Sequence, residues 1–227
     1  SNLCLAKFGA RRWIARIMVT WGAVAALMCL INGTTSFLVM RFLLGASEAG
    51  FYPGVIYFIG EWFPNKYRAG ALSRFNLAQP VALIFGSLLS GFLISALDGV
   101  MGYSGWRWLF LVEGIPTVFF GIVTLYYLTD KPADAQWLTE EERTWLMNRL
   151  VTEAAAIKGA NEDYTIGKAL THPAVLALGI AYFLAICEGV YGINMWIPQM
   201  LKQWSGMTPV EIGFIGALPF VTAFCCI

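Results

Sequence analysis

The sequence predicts an all-α membrane protein, with about five complete transmembrane helices and two truncated ones. Hydrophobic residues make up 58% of the 227 positions and charged residues only 13%, where a soluble domain carries about 25% charge. Mean hydropathy is +0.65. Apolar runs recur at roughly the 20 residues needed to cross a hydrocarbon core. Period-2 alternation is absent from them, so helices rather than barrel strands fill the membrane.

The runs fall at about Trp13–Ile31, Phe37–Gly60, Leu72–Leu97, Trp106–Leu128 and Pro173–Leu201, and a sixth begins near Pro209. The chain opens at Ser1-Asn2-Leu3 without an initiator methionine and stops inside an apolar run at Cys225-Cys226-Ile227. A fragment of a longer protein is therefore expected. Between the fourth and fifth runs lies the polar stretch Thr129–His172, with eight acids and five bases. Within it Thr139-Glu140-Glu141-Glu142 reads as a capping box. Trp145, Leu146 and Leu150 then form a short apolar stripe, suggesting a helix along the membrane face. Gly159 to Asp163 reads as linker. Thr171 is the expected N-cap of the next span, with Pro173 as its first helical residue. His172, the single histidine, reads as interfacial rather than as a proton relay.

Charge sets the orientation. Lys7, Arg11, Arg12 and Arg16 precede the first full span with no acid among them, and Lys66, Arg68 and Arg74 follow the second. The loops near Asn32-Gly33 and Asp98–Gly105 are short and nearly free of Lys and Arg. The basic loops and the polar stretch are thus expected on the cytoplasmic side of a cell (inner) membrane. A formal net charge of +1 gives no global field for nucleic acid. The five cysteines lack metal-ligand spacing, so neither a metal nor a disulfide is expected. No His-x-x-His, no Cys-x-x-Cys and no serine–histidine pair lies in the spans, which argues against an enzyme. Small residues cluster in the second span (Gly45, Ala46, Ala49, Gly50) and the third (Gly86, Ser87, Ser90, Gly91). Of these, Ser87-xxx-Gly91 fits the small-xxx-small rule for close helix packing.

Arg41 and Glu48 stand out, seven residues apart inside an apolar run. An arginine at membrane depth costs roughly 2.5–3.5 kcal/mol on insertion scales. Such a residue persists where it faces a partner, a wet cavity or a ligand. Seven helical steps return to within about 20° of one stripe, which Gly45 and Tyr52 share. The stripe lines a cavity with a cation, an acid and a phenol, or else it holds an internal ion pair. Gln79, beside Pro80, offers an amide to a substrate or satisfies the carbonyl that the proline leaves free. Tyr191 and Asn194 share a face three residues apart and are placed to reach a polyhydroxy acid. Glu188 is another intramembrane acid, either a proton site or a packing partner. Glu113, six residues after Arg107, reads as structural.

Several motifs resemble the major facilitator superfamily, and within it the anion:cation symporter family. Arg41-Phe-Leu-Leu-Gly-Ala-Ser-Glu48 through Tyr52-Pro53-Gly54 resembles the family's fourth-helix signature. Glu61-Trp62-Phe63-Pro64 with Arg68-Ala69 is similar to its turn between helices four and five. Gly105-Trp106-Arg107-Trp108 through Glu113-Gly114 resembles the start of helix six. Asp134 to Leu138 and the following Glu-Glu-Arg resemble its central loop, and Lys7 to Arg12 the basic loop between helices two and three. At Lys7 many members carry an aspartate. The branch carrying tartrate, rhamnonate and related acids is the most similar.

The resemblance implies a partial major facilitator fold running from the end of helix two into helix eight. Residues 1–129 would belong to the N-terminal half, 130–171 to a cytoplasmic central loop with an amphipathic helix, and 172–227 to the start of the C-terminal half. It implies alternating-access symport of a small carboxylate with a proton, by a bilayer-embedded monomer without cofactors. Arg41, Gln79 and Tyr191 would bind substrate, joined by Asn194 on the strength of its chemistry more than of the motif, and Glu48 would couple the proton. A facilitative or sensor-type protein on the same fold is the alternative.

Overall fold

The computed structural model describes residues 5, 9–160, 167, 171–186 and 194–226. Among these, helices account for the regular structure and no strand occurs. Ten α-helices follow in order: α1 (Ala10–Leu27), α2 (Thr34–Glu48), α3 (Phe51–Trp62), α4 (Asn65–Asn76), α5 (Ala78–Ala96), α6 (Gly105–Tyr127), α7 (Glu140–Ala160), α8 (Pro173–Ile186), α9 (Asn194–Ser205) and α10 (Pro209–Cys226). Among the described residues, four segments are long and apolar enough to cross a membrane: Ala10–Leu30, Thr34–Trp62, Asn65–Ala96 and Gly105–Tyr127. Shorter apolar helices cover Pro173–Ala185 and Pro209–Thr222. The expected fifth span, Pro173–Leu201, is represented by α8 and α9, which flank residues outside the described set.

The second and third spans are each interrupted. The second breaks at Ala49 and Gly50, which keep right-handed backbone angles (φ −52°, ψ −16° and φ −99°, ψ −8°). The third breaks at Leu77 (φ −59°, ψ −25°). The following proline is the third residue of the new helix in both cases, Pro53 in α3 and Pro80 in α5. A missing N–H is harmless in a first turn, where donors lack intrahelical partners anyway. The same substitution denies Ala49 and Asn76 the donor that a continuous helix would bring to their carbonyls. Pro116 lies inside α6 without ending it, so the ring alone does not dictate a break.

Helices meet through glycine. The longest contact runs between α1 and α6, and α5 pairs with α10. A Cβ on Gly114 would lie 2.5 Å from the Ala26 nitrogen, one on Gly22 2.7 Å from that of Val118, and one on Gly121 2.9 Å from that of Val19. Where α5 meets α10, a Cβ on Gly91 would sit 2.6 Å from the Pro209 carbonyl oxygen and one on Gly213 2.8 Å from that of Ser87. The Ser87 hydroxyl donates to the Gly213 carbonyl at 2.8 Å. The small residues at 87 and 91 are therefore a contact surface. Gly45 and Gly86 have open space around them instead. Many large apolar side chains face outward, among them Phe42, Phe85 and Tyr126, as a lipid-facing surface requires.

Polar groups fasten the ends of the bundle. Asp130, just beyond α6, accepts from the Arg11 main-chain N–H at 2.7 Å and lies 3.8 Å from Arg11 Nε. Its carboxylate caps the start of α1, where Gly9 (φ 83°) leaves no Cβ to collide with it. At the opposite end of α1, Arg107 donates to the carbonyls of Cys29 (2.8 Å) and Ile31 (3.2 Å) and to Asn32 Oδ1 (2.7 Å).

In the polar stretch the capping box forms as expected. The Thr139 N–H and hydroxyl both donate to Glu142 Oε2, at 3.0 and 2.9 Å, and the Glu142 N–H returns to the Thr139 oxygen at 3.3 Å. Glu153 of α7 accepts from the first amide of α4, Asn65 N–H, at 2.8 Å and pairs with Arg149 at 3.0 Å. Trp137 stacks on Trp62 with centroids 5.6 Å apart and planes within 5°.

Two local expectations are corrected. Gly159 and Ala160 continue α7 rather than opening a linker, since a helix tolerates one glycine near its end at about 1 kcal/mol. The N-cap of α8 is His172 rather than Thr171: the Ala174 N–H donates to His172 Nδ1 at 3.3 Å. The Thr171 hydroxyl bonds back to the Gly167 carbonyl at 3.1 Å, a competing local use of threonine. A second capping box, at Thr208 and Glu211, opens α10.

Two tests follow from this packing. Gly91→Val should lower the melting temperature in detergent, by the ~1–3 kcal/mol typical of overpacking, whereas Gly86→Ala should leave it unchanged or raise it. Thr139→Ala should speed hydrogen exchange at the first amides of α7 about fivefold, the equivalent of losing a cap worth ~1 kcal/mol. The Glu142 carboxyl lies below its ordinary pKa because the Thr139 N–H and then its hydroxyl donate to it. Its contribution to the helix start is therefore present at neutral pH. Protection should fall away as acid takes the pH through that lowered value.

Candidate functional site

Arg41 and Glu48 lie on one unbroken helix, α2, so their seven-residue spacing does place them on a common stripe. Both are exposed. Among the described residues neither joins an ion pair. The Arg41 guanidinium lies 5.5 Å from the centroid of the Phe37 ring, one turn earlier. Among the described residues the internal ion pair considered as the alternative is not formed. Glu48 is the last residue of α2 and sits at the edge of the break.

Tyr52 falls on the far side of that break, in the first turn of α3, so helical periodicity no longer ties it to Arg41. Its position is set by a different contact. The Tyr52 hydroxyl donates to Asn76 Oδ1 at 3.2 Å, and its ring lies 6.1 Å from that of Phe75. Asn76 is the last residue of α4. The bond therefore joins the two helix breaks across the space between the second and third spans. Glu48 lies four residues before Tyr52, and Gln79 three residues after Asn76. A cation, a carboxyl, an amide and the phenol–amide pair are thus carried by segments meeting at one joint.

Gln79 is exposed in the first turn of α5, beside the buried Pro80. Among the described residues its amide takes no hydrogen bond, so its capacity to donate and accept is uncommitted. Asn194 is the first residue of α9. Tyr191 and Glu188 lie outside the described residues. In α6, Glu113 Oε1 stands 3.5 Å from the Ser90 hydroxyl of α5. This contact, between helices that pack together, agrees with a structural reading.

Open surface depressions lie elsewhere. One of about 500 Å³ is lined by Asn32, Phe37, Trp106 and Arg107. Another, about 410 Å³, lies between the α3–α4 turn and α7 and is lined by Glu61, Arg68, Lys131 and Glu153. A third, about 510 Å³, is lined by Phe58, Trp62, Tyr127 and Trp137. None of these is lined by Arg41, Glu48 or Gln79, all three of which are exposed.

Sequence reasoning placed Tyr52 on the Arg41 stripe and missed its bond to Asn76, which joins the two helix breaks. A clue was available in the prolines that follow each residue by one and four positions, which mark where two spans yield.

Residues 4–227 match the family model described as Major Facilitator Superfamily. A protein of Agrobacterium vitis named "Putative tartrate transporter" is 45% identical over 98% of this chain and 49% of its own length. The "Quinolone resistance transporter" of Acinetobacter baumannii is 39% identical over 97% of the chain and 50% of its own length. The "Inner membrane transport protein RhmT" of Escherichia coli K12 is 37% identical over 98% of the chain and 51% of its own length. The chain thus spans about half the length of the curated relatives it matches. With its apolar helices and a family match along nearly its entire length, the chain is a multi-pass membrane protein that belongs to the major facilitator superfamily.

Proposed function

We propose that this chain is part of a secondary active transporter that carries small organic anions, hydroxy-dicarboxylates or sugar acids, across the membrane together with protons. One observation carries the reading: an arginine and a glutamate, both exposed and outside any ion pair among the described residues, share one stripe of an otherwise uncharged helix. A charge so placed is retained in a membrane where it faces water or a ligand. The name of one relative, a putative tartrate transporter, points to the same class of cargo.

Arg41 supplies a planar guanidinium whose fork fits a carboxylate through two parallel hydrogen bonds. Gln79 adds an uncommitted amide, and Tyr191 and Asn194 are proposed to complete the contacts from the C-terminal half. The open stripe of α2 becomes a cavity wall when the remainder of a complete transporter faces it. The boundaries proposed for the halves are 1–129 and 172–227, with 130–171 as the cytoplasmic connection. The α5–α10 contact then belongs to the interface between halves that rock in alternating access. Basic loops on the cytoplasmic side, an inner-membrane location and a monomeric state complete the proposal.

Glu48 is assigned the coupling step because it is the carboxyl on the Arg41 stripe, able to take up and release a proton beside the bound anion. Cargo and proton are then taken up together. Return of the proton on the other side restores the carboxylate as the cargo leaves.

Proteoliposome uptake of tartrate and aldonates by the complete transporter, with and without an imposed pH gradient, tests the reading. Glu48→Gln should abolish accumulation driven by the gradient and spare substrate exchange; accumulation that survives removes Glu48 from coupling. Arg41→Gln should lower uptake of carboxylates about 100-fold, the scale expected on deleting one partner of a desolvated charge pair. Arg41→Lys should recover only part of that loss, since an ammonium lacks the fork.

A further inference from the structure

The joint between the two helix breaks has hydrogen-bonding capacity that the anion reading leaves unused. Tyr52 donates its one proton to Asn76 Oδ1 at 3.2 Å, which leaves the phenol oxygen free to accept. The Asn76 amide nitrogen keeps two donors. An acceptor and a donor are therefore held side by side, with the Tyr52 ring positioned against Phe75. An alcohol is the complementary group, because a single hydroxyl donates one bond and accepts another. A carboxylate, which only accepts, meets half of the pair.

Tyr52 is 41% exposed, so its edge is reachable from outside the helix pair. The prolines add to the site's polarity, since Pro53 and Pro80 have no N–H to offer the Ala49 and Asn76 carbonyls. Interrupted helices are where many secondary transporters place their ligands. Glu48 and Gln79 flank the joint in sequence on either side.

We propose that Tyr52 and Asn76 form a hydroxyl-recognition subsite, which selects hydroxylated over deoxy carboxylates while Arg41 holds the carboxylate. The assignment rests on the anion-transport reading above and adds to it the determinant of specificity. Sites built to hydrogen-bond a substrate hydroxyl reject the analogue that lacks it, because their own polar groups are then left unpaired.

The test compares tartrate with succinate, the same carbon skeleton without hydroxyls, as proteoliposome substrates of the complete transporter. The ratio of kcat/KM for tartrate to that for succinate should fall about tenfold in Tyr52→Phe, the scale of one neutral hydrogen bond. The substitution keeps the ring and its packing on Phe75. Asn76→Ala, which removes the other half of the pair, should lower the same ratio by a similar factor and serves alone if Tyr52→Phe fails to fold. A ratio unchanged in the variants that fold, or equal losses for both acids, overturns the subsite and leaves the transport reading standing. Uptake of neither acid by the unmodified protein overturns the transport reading, and the subsite with it.

Discussion

Close approach of helix backbones at glycine is the constraint on which the arrangement depends. Lipid tails are as apolar as leucine, so burial from water does not drive helices together inside a membrane, and van der Waals contact has to do so. Contact of that kind requires surfaces without projecting side chains. Gly22, Gly114 and Gly121 provide one such surface between α1 and α6, and Gly91 and Gly213 another between α5 and α10. The Ser87 bond to the Gly213 carbonyl adds direction to the second. With these two seams fixed, α2 and α3 are held by their contacts with α1, and the charged stripe of α2 is left facing outward.

The candidate site is organised by the opposite device, local loss of helix regularity. Pro53 and Pro80 each occupy a first turn, where they cost little, and each leaves a carbonyl just upstream without its helical donor. A polar phenol and a polar amide occur at those places and bond to one another. The seams thus act as rigid elements, while the breaks concentrate hydrogen-bonding groups in an apolar setting. Function in a membrane protein tends to reside where regularity fails in a protected location.

Much of the fold was legible because long apolar runs carry their own length information. Helix positions for the first four spans followed from hydropathy, and the box at Thr139 and Glu142 followed from a four-residue signature. The breaks were not legible, since hydropathy continues through Gly50 and Leu77 and a first-turn proline looks like any other. The cap at His172 was missed because an imidazole nitrogen took the place expected of the neighbouring threonine hydroxyl. Arg41 and Glu48 were visible as a charge anomaly within one helix. The Tyr52–Asn76 bond spans 24 residues between different spans, a separation at which no periodic pattern carries information.

The stacked indoles give the molecule a property of another kind. Trp62 ends a helix of the membrane bundle and Trp137 belongs to the connecting segment, and their planes are within 5° at 5.6 Å. Indoles stacked so closely couple electronically, so the pair gives a signal distinct from that of isolated tryptophans. Any shift of the connecting segment against the bundle would decouple them, and the near-ultraviolet dichroism of the native protein would register it without an attached label.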